Sequence, residues 1–251
     1  MKKYVAVLMV MVIMLSVSAC GIISGGTQKD AEKVFVNLKN SYDMVNDLSE
    51  DIMLAWELGI NDTDELKGYT SYSYSYFSYS DSRYDYEKGL KYLAEKLNIS
   101  ENDICKGVAK AYYGTVDSEA ITISEAAELY ETLLNRYSNV FSACMNIVIS
   151  TYEANGKIGQ IDALISVCRD EMKDFSKKSS DYEHYPDLKS YYVNMMAFYD
   201  FCKSPVGTYD TATDTVNNYR STEKTYYYSL YCFLDEAFGT STTTVPTTVA
   251  T

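Results

Sequence analysis

The side chains that most often do enzyme chemistry are sparse in this chain. A single histidine, His184, excludes any site that needs two or three imidazoles. It lies in a short connector before Pro186, where Asp181 or Glu183 could pair with it as an acid–base centre. No nucleophile in a recognisable motif accompanies this group. We therefore expect His184 to be a solvent-facing residue between two helices.

Five cysteines follow residue 20, and none of them forms a C-x-x-C pair. The spacing of a structural zinc site or of a thioredoxin-like motif is therefore absent. Three of the five fall on apolar helical stripes, which indicates buried thiols that behave as small hydrophobic side chains: Cys144, Cys168 and Cys202. The odd number leaves at least one thiol unpaired, and the other two residues are Cys105 and Cys232.

Other patterns match functional motifs only in part. Ser221 and Lys224 have the S-x-x-K spacing of serine penicillin-recognising enzymes, but they fall within a predicted helix and the companion motifs are missing. Residues 61–65 contain three acids and predict a solvated loop, because the glycine position of an EF-hand holds Lys67. Acids one turn apart predict solvated helix faces: Asp170 with Asp174, and Asp210 with Asp214. No metal or cofactor site is predicted, and a hydrolase that uses carboxylates alone stays an open alternative.

Residues 69–86 contain seven tyrosines and six serines. Alternating Tyr and Ser would suit a strand, whereas three- and four-residue spacing runs in phase into a following helix. We expect an irregular or partly helical segment that lies over the helices. Its rings either pack against the core, which the spacing favours, or form a recognition surface for a protein, a glycan or an aromatic ligand. The candidate binding residues are Tyr72, Tyr74, Tyr76 and Tyr79.

The N-terminus has the layout of an export signal. Lys2 and Lys3 precede the uncharged apolar residues 4–15, which are too few to span a bilayer, and small residues follow. The sequence Val17-Ser18-Ala19-Cys20 resembles the lipobox of bacterial lipoproteins. The resemblance implies that residues 1–19 are removed and that acyl chains on Cys20 anchor the protein to the extracytoplasmic face of the cell membrane. The alternative is an uncleaved signal anchor.

Charge limits the classes of partner. The chain has 22 basic and 35 acidic residues, a formal charge of -13, which argues against nucleic acid as a partner. Loss of residues 1–19 removes Lys2 and Lys3 and no acid, so the mature chain would carry -15. Anionic lipid headgroups should repel this body. We expect it to hang from Cys20 by a flexible tether that extends to Asp30.

Apolar residues at helical spacing dominate residues 31–238, which predicts one all-α domain. The stripes predict a long helix stopped by Gly59, a helix from Asp85 to Leu97, one opened by Ser100, one opened by Thr122 and broken at 155–156, and three more over about 158–175, 186–202 and 211–238. We expect an up-and-down helical bundle with the shorter helices packed across it. The threonine-rich residues 239–251 should form a disordered tail.

The sequence alone favours a non-enzymatic lipoprotein that has an interaction or structural role in the cell envelope. The alternative is a small-ligand or glycan-binding lipoprotein that uses residues 69–86. A closed bundle favours the first function, and a groove lined by tyrosines favours the second.

Overall fold

The computed structural model describes residues 26–74, 79–115 and 121–238. Within these residues the chain forms nine helices and a pair of short strands. In chain order they are α1 (Gly26–Asn61), α2 (Thr63–Leu66), β1 (Thr70–Tyr74), β2 (Tyr79–Arg83), α3 (Tyr86–Lys96), α4 (Glu101–Tyr113), α5 (Ile123–Arg136), α6 (Val140–Ala154), α7 (Lys157–Ser179), α8 (Tyr185–Lys203) and α9 (Tyr209–Phe238). The predicted signal, the predicted lipobox with Cys20 and the predicted tail at residues 239–251 lie outside the described part.

Helix α1 is the axis of the fold, because every other long helix packs along it. Its predicted apolar stripe is buried throughout: Val34, Leu38, Tyr42, Val45, Leu48, Ile52 and Trp56. Contacts along this stripe show the direction of each neighbour. Helix α7 runs antiparallel to α1, as the pairs Ser41–Cys168 and Asn37–Glu171 indicate. Helix α8 runs parallel to α1, with the pairs Phe35–Tyr191 and Val45–Cys202. Helix α9 runs antiparallel to it, with the pairs Glu57–Tyr209 and Phe35–Tyr227. The predicted all-α up-and-down bundle is confirmed.

The shorter elements gather at the end of α1 that holds Asn61. Helix α2 follows that residue almost at once, and α3, α4 and α5 pack on one another. Of these three, α4 packs extensively on α6 and α5 contacts it slightly. The predicted caps of α4 and α5 are confirmed, since Ser100 accepts a hydrogen bond from the Asp103 amide and Thr122 forms a capping box with Glu125. These short helices position the two strands.

Gly59 does not stop α1, contrary to the prediction. The helix continues to Asn61, and a Cβ atom at Gly59 would lie 2.2 Å from the Phe141 Cα atom. One turn earlier, the Trp56 ring stacks on the Phe141 ring with the centroids 5.6 Å apart. The glycine therefore allows α1 and α6 to approach closely and does not end a helix.

The predicted single helix after Thr122 is two helices. Tyr137 has extended backbone angles, and the Asn139 side chain accepts a hydrogen bond from the Ser142 amide to cap α6. A polar cap thus offers the backbone an alternative to continuing the helix. The break after α6 lies where it was predicted, at Gly156 with φ +82°.

The flexible tether was also predicted to extend too far along the chain. Helix α1 begins at Gly26, so residues 26–30 are helical, and Ala31 is already buried. Gln28 accepts a hydrogen bond of 2.7 Å from the Tyr182 hydroxyl, which fixes the first turn to the α7–α8 connection. None of the helices in the described part has the length and apolar content to cross a membrane.

Candidate recognition site at the tyrosine-serine hairpin

The tyrosine-serine segment forms an antiparallel pair of strands, β1 and β2, which we call the hairpin. Thr70 pairs with Arg83, Tyr72 with Asp81 and Tyr74 with Tyr79. The prediction of an irregular or partly helical segment was wrong. Ser and aromatic residues are weak helix formers, and aromatic residues favour strands, so the alternating period prevailed over the helical one.

The hairpin also does not lie over the helices as expected. Its strands contact each other closely and the helices only marginally. Of the candidate binding residues, Tyr72, Tyr74 and Tyr79 lie in the strands, and Tyr76 lies outside the described residues. Residues opposite one another in an antiparallel pair share a face, so the register puts these three tyrosine positions on one face and the serine positions on the other.

The base of the hairpin is held by close backbone contacts, and we call this region the neck. Gly68 has φ +63°, and a Cβ atom there would lie 1.9 Å from the Asp85 carbonyl oxygen. A Cβ atom at Gly89 would lie 2.0 Å from the Leu66 carbonyl oxygen, which also accepts a hydrogen bond from the buried Tyr130 hydroxyl. Only glycine permits these approaches, so the neck fixes where the two strands leave the helices.

Three tyrosine rings form a row along the neck. The Tyr84 ring lies 5.8 Å from the Tyr69 ring and 6.0 Å from the Tyr86 ring, and the Lys67 ammonium lies 5.9 Å from the Tyr84 centroid. Tyr84 is 54% exposed and Tyr69 is 39% exposed. The sequence analysis did not predict this row of rings, although the many tyrosines of residues 69–86 indicated the region as a candidate site.

Two clefts flank the neck. One has a volume of about 410 Å³ and is lined by the Tyr84 and Tyr86 rings and by acids that include Glu128 and Glu131. The other, of about 370 Å³, lies between Tyr69 and Tyr92. Burial and a hydrogen bond to Asp62 raise the pKa of Tyr92 to about 12, so this phenol stays neutral at physiological pH. Ring faces beside carboxylate acceptors suit a polyhydroxylated ligand.

His184 is less exposed than predicted. It lies between α7 and α8, as expected, but its side chain is 18% exposed and its ring packs edge-on against Tyr182. Its Nδ1 atom lies 3.7 Å from the Asp187 carboxylate at the start of α8. The histidine thus packs within the connector and against the first turn of α8.

The cysteine prediction is confirmed for the thiols that the structure describes. Cys105, Cys144, Cys168 and Cys202 are buried and free. Burial raises the pKa of Cys105 and Cys168 to about 11, and that of Cys144 and Cys202 to about 12. Thiols with such pKa values are poor nucleophiles. The side chain of Cys232 lies outside the description.

The remaining motif residues are dispersed. Ser221 and Lys224 lie in the middle of α9, and the acidic pairs on α7 and α9 are exposed, both as predicted. The predicted acidic loop at 61–65 instead contains α2. No cluster of three His, Cys, Asp or Glu side chains suited to a metal ion occurs among the described residues.

A set of hydrogen bonds that the sequence did not reveal joins tyrosines to acids. Five tyrosine hydroxyls donate to carboxylates that are distant along the chain: Tyr92 to Asp62, Tyr152 to Asp51, Tyr191 to Glu223, Tyr199 to Asp162 and Tyr209 to Glu57. Acids outnumber basic residues in this chain by 35 to 22. Tyrosine thus supplies neutral donors to carboxylates in a chain where acids outnumber basic residues.

Comparison of the chain with protein-family models, with curated proteins and with solved structures gives no match. A proposed function therefore depends on the hairpin, the neck and their position along α1.

Proposed function

We propose that the protein is a lipid-anchored, non-enzymatic lipoprotein on the extracytoplasmic face of the cell membrane. In this proposal acyl chains on Cys20 hold the protein at the membrane, and the hairpin binds a partner in the cell envelope. The lipobox at residues 17–20 supports the anchor. The hairpin supports the binding role, because its two strands make few contacts with the helices of the described part.

The observation that carries the proposal is the position of the hairpin relative to the N-terminus. Helix α1 has 36 residues, and at about 1.5 Å per residue it is about 54 Å long. Cys20 precedes Gly26 by six residues, so the two lie no more than about 22 Å apart in any conformation. The hairpin follows the other end of α1. An anchor at Cys20 would therefore keep one end of the bundle near the membrane and leave the hairpin at the far end.

The composition and the neck both suit recognition. Tyrosine offers a large, amphipathic ring at low entropic cost, and serine offers small hydrogen-bonding groups. Close contacts at Gly68 and Gly89 fix the base of the hairpin before any partner arrives, which lowers the entropic cost of binding. A role for Tyr72, Tyr74 and Tyr79 in the helical core is less consistent with strands that hardly contact the helices.

The wider cleft at the neck favours a second candidate, a glycan-binding lipoprotein. Its volume of about 410 Å³ suits a small saccharide, and it combines the Tyr84 and Tyr86 rings with the acids Glu128 and Glu131. A hydrolase is supported less. Among the described residues Glu223 is the one acidic residue that is buried. It accepts a hydrogen bond from Tyr191 in the core, away from both clefts.

One experiment tests the anchor. Cys20→Ser should abolish incorporation of labelled fatty acid and release the protein from washed membranes. Unchanged membrane retention and an unchanged processed mass would contradict lipidation.

A second experiment tests the hairpin. We expect Tyr72, Tyr74, Tyr76 and Tyr79 replaced together by Ser to abolish cross-linking to envelope components, with an unchanged melting temperature. A control with Tyr113→Ser and Tyr228→Ser removes two rings that are 62% and 63% exposed elsewhere, and it should retain the cross-links. Loss of folding in the hairpin variant, or equal cross-linking in both variants, would contradict the binding role. Binding of purified chain to soluble cell-wall saccharides, lost with Tyr84→Ser alone, would favour the glycan candidate.

A further inference from the structure

The hairpin has an open strand edge. Within the described residues its sheet contains only β1 and β2, so each strand has one edge without a neighbouring strand. Exposed edges offer unpaired backbone N–H and C=O groups to other chains, and proteins usually block them with charges, proline or a bulge. A two-stranded sheet is also only marginally stable by itself.

The two edges are protected differently. Strand β2 contains Asp81 and Arg83, which place charges along its edge. Strand β1 has the sequence Thr-Ser-Tyr-Ser-Tyr, with no charge and no proline. Its pairing with β2 is continuous over all five residues, without a bulge. The edge of β1 therefore carries none of the charges, prolines or bulges that usually block a strand edge.

The sequence of β1 is complementary to itself in antiparallel pairing. If two copies pair with Tyr72 at the centre, Ser71 lies opposite Ser73 of the second copy, and Thr70 lies opposite Tyr74. Serine positions then meet serine positions on one face, and tyrosine and threonine positions meet on the other. Cross-strand aromatic pairs and hydroxyl pairs each stabilise a sheet.

We propose that β1 pairs antiparallel with β1 of a second copy of this chain, which forms a four-stranded sheet in the order β2–β1–β1–β2 about a two-fold axis. Such a contact is a strand addition, in which backbone hydrogen bonds give the affinity, and the same edge serves both copies. The proposal rests on the proposed function in taking the hairpin as the binding element, and it names a partner for it.

The excess negative charge does not prevent this contact. Strand β1 is uncharged and the hairpin makes few contacts with the acidic bundle, so two copies meet through an uncharged strand. Charges farther apart than about 8 Å are largely screened at physiological ionic strength. A shared membrane would raise the effective concentration of two anchored copies, so a small interface is enough.

Cysteine substitution tests the register in native membranes that contain the full chain. Opposed residues of an antiparallel pair have Cα atoms about 4.5–5.5 Å apart, which a disulfide can bridge. Under mild oxidation we expect Tyr72→Cys to give a reducible dimer, well above the background of the unsubstituted chain. Ser71→Cys alone and Ser82→Cys should stay at that background, but a mixture of Ser71→Cys and Ser73→Cys chains should cross-link. Equal dimer from Ser82→Cys, or none from Tyr72→Cys, would overturn the proposal.

Charge substitutions test the same register without a disulfide. Replacing Ser71 and Ser73 both with Lys places like charges opposite each other in the dimer, and we expect dimerisation to weaken by on the order of tenfold or more. Ser71→Lys combined with Ser73→Glu places opposite charges there and should restore the dimer. Sedimentation of the purified full chain in detergent measures both. A wild-type chain that stays monomeric at all concentrations, or equal weakening by both variants, would contradict self-pairing.

The outcomes separate this inference from the proposed function. A hairpin that cross-links only to other envelope components, with no dimer in either experiment, refutes self-pairing and leaves the binding role intact. If the wild-type chain is not lipidated and the dimer forms equally well after Cys20→Ser, the anchor is refuted and self-pairing is supported.

Discussion

The Tyr191 hydroxyl donates a 2.9 Å hydrogen bond to the Glu223 carboxylate and so joins α8 to α9 inside the core. Tyr191 is fully buried and Glu223 is 8% exposed. Burial raises the pKa of the Glu223 carboxyl, and the hydrogen bond from Tyr191 partly opposes that shift. A buried acid in this protein is thus stabilised by a neutral phenol.

The first prediction concerns this bond. Tyr191→Phe keeps the ring but removes the hydroxyl that donates to Glu223. The buried carboxylate then lacks this hydrogen bond, which should lower the free energy of unfolding at pH 7 by about 1–3 kcal/mol. At pH 4.5 the loss should be smaller, because more of the carboxyl is protonated. Urea denaturation at both pH values measures the difference. Tyr228→Phe, at a position 63% exposed, is the control and should have no effect.

The second prediction concerns pH. Burial raises the folded-state pKa of Asp51 and of Glu223. Between the unfolded and folded pKa values the folded state binds more protons, so stability rises as pH falls through that window. We expect the melting temperature to rise from pH 7 toward about pH 5, helped by weaker repulsion in an acidic chain.

Below about pH 4 this trend should reverse. Hydrogen bonds lower the folded-state pKa of Glu87 and Glu125. Their ionised carboxylates therefore stabilise the fold above the unfolded-state pKa, and this contribution is lost as pH falls through the folded-state pKa. Thermal unfolding from pH 3 to pH 8 measures the whole curve. A melting temperature that falls steadily from pH 7 to pH 5 would contradict the raised pKa values.

The third prediction concerns the approach of α1 to α6. Gly59→Ala would put a methyl group 2.2 Å from the Phe141 Cα atom, and the forced shift should cost about 1–3 kcal/mol of stability. Gly159→Ala is the matched control, because no atom lies within 4 Å of a Cβ there. That helical position should gain about 0.5–1 kcal/mol. Chemical denaturation of both variants tests the contrast, and equal effects would exclude a packing role for Gly59.

The fourth prediction concerns the buried thiols. Cys105, Cys144, Cys168 and Cys202 are buried, and their pKa values are about 11 to 12. In the folded protein at pH 8 we expect all four to resist alkylation, whereas in denaturant all four should react. Peptide mass spectrometry after labelling identifies each site. Rapid labelling of any of the four in the native state would show that its helix opens readily.

The helices could be predicted because their signal is local. The stripe from Val34 to Trp56 has the period of a helix with one buried face, and that face is buried. The caps at Ser100 and Thr122 are equally local, since the donor and the acceptor lie three residues apart. The break between α5 and α6 was missed because the apolar spacing continues across it, although Asn139 is a good cap residue.

The close helix approaches, the neck and the tyrosine–carboxylate bonds were harder to predict because they depend on contacts between distant residues. Gly59 meets Phe141, and Gly68 meets Asp85, only in the folded chain. The tyrosine–carboxylate bonds also join different elements, as Tyr152 on α6 does with Asp51 on α1. In the hairpin the local signal was present but two periods competed, and the pairing of β1 with β2 decides between them.

The continuous axis of α1 also has a mechanical consequence. A pulling force between the N-terminal end of the bundle and the hairpin would load α1 along its own length, from Gly26 to Asn61. Helices α6, α7, α8 and α9 all pack along α1, so any sliding of α1 past them would load their contacts in shear. The tyrosine-serine hairpin thus follows the helix through which such a force would run.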